Sequence, residues 1–98
     1  MNVYLFDNTF EGLLSAIFYA FESKSFPEKV CAIQLYQEDL FAEKITITSE
    51  NHKADRVWKG IRKKASERAC QMIYRLFNSE IEGIAQLLFS YIVTGSED

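Results

Sequence analysis

The apolar residues of this chain change their period once, near Ser49, and that single change restricts what the chain can fold into. Before it, short β-branched and aromatic runs flank one helical stretch; after it, apolar residues recur at three- and four-residue steps almost to the end. Val3-Tyr4-Leu5-Phe6 reads as a buried strand closed by the turn signal Asp7-Asn8. From there Phe10, Leu13, Leu14, Ile17, Phe18 and Phe21 share one helical face, which predicts a helix over 9–23 with Asn8 and Glu11 as its capping box.

Pro27 lacks an N–H and biases Phe26 away from the α region, so a loop follows this helix. Alternation of Cys31, Ile33 and Leu35, and then of Ile45 and Ile47, predicts two more strands over 30–36 and 42–48, joined by a connection at 37–41. Ala54, Val57, Trp58, Ile61 and Ala65 then mark a second helix over 50–64. Ala69, Met72, Ile73, Leu76 and Phe77 continue the period after a re-cap at Ser66. Ser79-Glu80-Ile81-Glu82 fits a capping box for a last helix carrying Ile81, Ile84, Ala85, Leu88, Phe89 and Ile92, which Gly95 terminates. The expectation is an α+β fold: a small three-stranded sheet with one covering helix, followed by a C-terminal half of two to three helices. Its expected core includes Phe10, Leu14, Ile17, Phe18, Val57, Ile61, Ile73, Phe77 and Leu88.

Ninety-eight residues supply one domain, 1–98, and 48% apolar with 26% charged residues is the composition of a folded chain rather than a disordered one. No apolar run reaches the roughly 20 residues of a membrane span, and no basic segment precedes an apolar one at the start. The corresponding expectation is a cytoplasmic protein with no membrane partner. Cys31 and Cys70 form no CxxC pair and have no neighbouring His, so neither a metal site nor a disulfide framework is encoded, and no cofactor is expected.

Catalytic raw material is thin. His52 is the only histidine and falls in the first turn of the second helix, where a side chain is ordinarily exposed. Both cysteines lie on or beside apolar positions and read as core. Glu38 with Asp39 and Glu80 with Glu82 are spaced so that their carboxylates do not converge on a helix. Nucleotide-binding glycine loops, GxSxG and HExxH are absent from the sequence.

The net charge of −3 conceals a strong asymmetry. Residues 1–50 carry three bases against eight acids, and residues 69–98 carry Arg75 against four acids. Residues 51–68 carry seven bases against Asp55 and Glu67, a local charge of +5. Within this stripe Arg56, Lys59 and Lys63 follow helical steps along one edge, with Lys53 one step earlier and Arg62 alongside. Such a row can contact successive phosphates without reading bases, and Lys53, Arg56, Lys59, Arg62 and Lys63 are the candidate nucleic-acid-binding residues. The competing reading is a solvated helix face. Trp58 lies about 100° round the helix from its sequence neighbours and reads as core or an edge anchor.

The pattern Tyr4-x-x-Asp7-x-x-Phe10-Glu11-Gly12-Leu13-Leu14-x-Ala16-x-Phe18, followed by Ala54-x-Arg56-Val57 and Ile73-Tyr74-Arg75-x-Phe77-x-Ser79-Glu80, resembles the N-terminal part of a bacterial family assigned to DNA metabolism or repair. That family carries a domain of unknown function. Its genes accompany a radical-SAM protein assigned to DNA modification or repair, and related domains occur fused to uracil-DNA glycosylases. The resemblance extends over essentially the whole chain and implies that this is the N-terminal part of a longer family member. It implies a DNA-related role but supplies no reaction and no catalytic residue.

Three expectations follow. The first is an accessory module that binds nucleic acid through the basic helix or docks a radical-SAM or DNA-glycosylase partner. The second is a scaffold segment of a nucleic-acid-modifying enzyme whose catalytic residues lie outside this chain. The third is a structural interaction or dimerisation domain whose basic face is only solvated.

Overall fold

In the computed structural model, which describes residues 1–38 and 41–95, the period change at Ser49 separates a sheet-forming half from a helical half. Strand β1 (Asn2–Phe6) leads into helix α1 (Phe10–Ser23); β2 (Lys29–Ala32) and β3 (Glu43–Thr46) follow. Helices α2 (Asn51–Lys64), α3 (Glu67–Asn78) and α4 (Ile84–Val93) complete the chain. This is the α+β arrangement expected from the periodicity. Asp39 and Leu40 of the connection, and the polar tail 96–98, lie outside the described residues.

The sheet is parallel throughout, in the order β2-β1-β3, so β1 is central. A central parallel strand is covered on both faces, which is why Val3-Tyr4-Leu5-Phe6 is one unbroken apolar run with all four residues buried. Tyr4 and Phe6 join the main core: Tyr4 meets Tyr19 and Phe89 edge-on, and Phe6 meets Phe77. The buried Tyr4 hydroxyl donates to the Ser25 carbonyl at 2.6 Å, and burial pushes its pKa upward. On the outer edge of β2, the Val30 N–H donates to Gln86 Oε1 at 2.7 Å, so α4 occupies a backbone donor that would otherwise remain open.

Strand β2 is shorter than the alternation at 30–36 implies. Its register pairs Ala32 with Phe6, the last residue of β1, so the chain has no ladder partner beyond that point. It turns into a short 3-10 segment at Ile33–Leu35, leaving Ile33 and Leu35 exposed. Strand β3 falls inside the expected 42–48, and its ladder extends through the Ile47 N–H to the Leu5 carbonyl at 2.8 Å.

Two expected caps are corrected. Helix α1 is capped by Thr9, whose Oγ1 accepts from the Gly12 N–H at 2.9 Å, while Asp7 Oδ1 accepts from both the Thr9 N–H and hydroxyl. Asn8 instead makes the turn at φ 64°, where its short side chain is tolerated. Gly12 is part of the same device, because a Cβ there would collide with the Asp7 carboxylate. Thr9→Ala should therefore cost about 1 kcal/mol, whereas Asn8→Gly should leave stability intact, measured by chemical denaturation.

Ser79 does not start the last helix. Its N–H and hydroxyl donate to the Leu76 carbonyl and close α3, and the chain reverses through Glu80 at φ 58° and Gly83 at φ 80° before α4 begins at Ile84. The expected re-cap at Ser66 is present, with its Oγ accepting from the Ala69 N–H at 3.1 Å.

Of the expected core, Leu14, Ile17, Ile73, Phe77 and Leu88 are buried. Phe10, Val57 and Ile61 are half-buried at its margin, and Phe18 is half-buried too. Phe21, Met72 and Ile81, assigned to apolar helix faces, are exposed. In α3 the inward face is Cys70, Ile73 and Phe77, which turns Met72 outward. Phe21 packs edge-on against Phe26, centroids 5.5 Å apart, where the chain leaves α1.

Candidate nucleic-acid interface

Helix α2 turns Ala54, Val57, Trp58 and Ile61 toward the core, and the helical period sends His52, Arg56, Lys59 and Lys63 to the opposite, exposed face. Its last turn holds Arg62, Lys63 and Lys64, where cations complement the partial negative charge of a helix C-terminus. That preference accounts for part of the basic stripe without a ligand.

The five candidate residues occupy three distinct settings. Lys59 and Lys63 are exposed and have no ion pair among the described residues. Lys53 and Arg56 both lie over the ring of Phe18, at 5.5 and 5.9 Å from its centroid. The ring quadrupole attracts a cation placed there, so Phe18 joins α1 to the base of the stripe. Lys53 also pairs with Glu50 at 3.1 Å, which neutralises part of its charge. Arg62 lies on the other flank, its guanidinium 5.7 Å from the Trp58 ring centroid. The outward row is thus Arg56, Lys59 and Lys63, with Lys53 and Arg62 held at its margins.

Phe18 is the contact of the basic stripe that periodicity alone misses. Its helical spacing marks it as core, and only the approach of α2 to α1 shows that its ring supports two cations. Arg56 has no ion pair among the described residues and lies over this ring instead.

Other chemistry-bearing residues do not assemble. The His52 side chain is 74% exposed and lies 3.9 Å from Glu50 at the start of α2. Cys70 is buried and its thiol pKa is raised, chiefly by desolvation, so it remains a neutral thiol near pH 7. Cys31 is half-buried rather than core and contacts the Ala32 carbonyl at 3.3 Å. Among the described residues no group of three His, Cys, Asp or Glu side chains has metal-binding geometry, and no helix is long and apolar enough to cross a membrane. No protein-family model, curated protein or solved structure matches the chain.

Proposed function

We propose that this chain is an accessory module of DNA metabolism or repair that lies along nucleic-acid phosphates through the outward face of α2. The observation that carries this reading is the shared exposure of Arg56, Lys59 and Lys63 on one helix, opposite the face that packs on the core. The resemblance to a DNA-metabolism family points the same way. Because the row offers charge rather than a planar set of base-reading groups, binding is sequence-independent and salt-sensitive. The body outside residues 51–68 carries a net −8 and opposes approach over about a Debye length, roughly 10 Å at 0.1 M salt. Contact is therefore confined to the helix face.

The test is fluorescence anisotropy with labelled single- and double-stranded oligonucleotides at low and moderate salt. Each phosphate contact contributes a salt slope of about 0.9 on duplex, so replacing Arg56, Lys59 and Lys63 together by Ala should flatten the slope by about 2.7 and weaken every sequence alike. The variant should stay folded, since exposed charges contribute little to stability. Lys53→Ala should have a smaller effect, because Glu50 already pairs with that ammonium. Unchanged binding by the triple variant moves the site off α2. No binding by the wild-type chain at low salt transfers the reading to docking of a radical-SAM or DNA-glycosylase partner.

A further inference from the structure

A second surface, on the opposite flank of α2 from Phe18, has a different chemistry. Three helices meet there around a cleft of about 360 Å³, the size of a small-molecule site. Phe10 at the start of α1 stands between two other rings. Its centroid is 5.2 Å from that of Trp58 at an interplanar angle of 87°, and 5.1 Å from that of Tyr74 at 84°. All three rings line the cleft, and Tyr74 is 52% exposed.

The charge of the lining is negative. Glu11, Asp55 and Glu67 contribute three carboxylates against the single guanidinium of Arg62. Glu11 and Glu67 stand in the first turns of α1 and α3, where the helix dipole favours an acid, and the same placement brings both to the cleft. One cation is already seated in it: Arg62 lies over the face of Trp58. Aromatic walls and an acidic lining both select for positive charge, and the guanidinium over Trp58 marks a ring face that accepts a cation.

We propose that this cleft is an aromatic cage for a trimethylammonium group. The ring faces attract a cation but offer it no hydrogen-bond acceptor. A quaternary group, which has no N–H to satisfy and sheds water readily, therefore suits them better than a strongly hydrated primary ammonium. The carboxylates supply the longer-range attraction, and the neutral Cys70 thiol adds no charge. Arg62 occupies the Trp58 face when no ligand is present and is displaced by it. The site is separate from the phosphate-binding row and does not depend on it.

Trp58 is the only tryptophan, so its indole Nε1–H NMR signal reports directly on the cleft. Titration with choline should give a saturable shift of that signal, and 3,3-dimethylbutan-1-ol, its neutral isostere, should bind at least about tenfold more weakly. Equal response to both would reduce the cleft to a plain apolar pocket and overturn the proposal. Tyr74→Ala, at an exposed position, should weaken choline about tenfold with the far-UV circular dichroism unchanged. Arg62→Ala should strengthen it several-fold by clearing the Trp58 face, and a loss of binding in that variant would refute the displacement. A peptide carrying trimethyl-lysine, titrated in parallel, identifies the source of the group: tighter binding than choline marks a modified protein, and weaker binding marks a small quaternary amine.

Discussion

Phe77→Ala should cost about 3–5 kcal/mol in chemical denaturation, the range for removing a large buried aromatic and leaving part of its cavity unfilled. Phe77 is placed to have that effect. Its ring lies 6.4 Å from Phe6 in the central strand and 5.5 Å from Phe10 at the start of α1, so it joins the sheet, the first helix and α3. Domains of this size are stable by about 5–15 kcal/mol, so the substitution removes a large share of the total. The melting temperature should fall by about 4–8 °C per kcal/mol. Phe18→Ala, which helical spacing ranks with it, should cost only about 1–2 kcal/mol, because that ring is half-buried and faces two cations. Equal losses at the two positions would mean that Phe18 is as fully packed as Phe77.

The contrast between these two residues shows what a linear sequence can convey. Alternation and helical period depend only on residue spacing, and on that basis the three strands, the extents of α1 and α2 and the buried row Leu14, Ile17, Ile73, Phe77 and Leu88 were legible. They do not say how far a neighbouring element extends. Strand β2 ends at Ala32 because β1 ends at Phe6, so the alternation that marks Ile33 and Leu35 as strand has nothing to pair with. The caps failed for a related reason. Asn8 and Ser79 have the right chemistry for N-caps, but chain direction at each turn is set by positive-φ residues, and these place the cap at Thr9 and Gly83.

The candidate interface was legible as a charge run and as a helical edge, since both depend only on residue type and spacing. The division of that run was not. Whether a cation is free, paired or seated on a ring depends on Glu50, Phe18 and Trp58, which reach it from a cap, from another helix and from the inward side of α2. Of the motif carrying the family resemblance, Asp7 and Gly12 have a local structural role in the α1 cap, where they adjoin Thr9, while Arg56 lies on the proposed interface.

Ser15→Ala should cost about 1–3 kcal/mol and act on the interface without touching it. Ser15 is a buried polar side chain, 2% exposed on the inner side of α1. Its Oγ accepts from the Glu50 N–H at 3.0 Å and donates to the Glu50 carbonyl at 3.3 Å, a reciprocal pair across 35 residues. Glu50 is the N-cap of α2 and makes no side-chain cap bond of its own, so this pair fixes where the helix begins. The Glu50 carbonyl would keep the Ala54 N–H as a donor, at 3.0 Å, but the Glu50 N–H would lose its acceptor within a partly buried setting. The expected signature is a lower denaturation midpoint with an unchanged slope, together with faster amide hydrogen exchange in the first turn of α2 than in α4. Exchange accelerated equally in α2 and α4 would show a general loss of packing instead. If α2 is the phosphate-contacting element, the same variant should also weaken oligonucleotide binding while leaving its salt slope unchanged, since loosening the helix removes none of its charges.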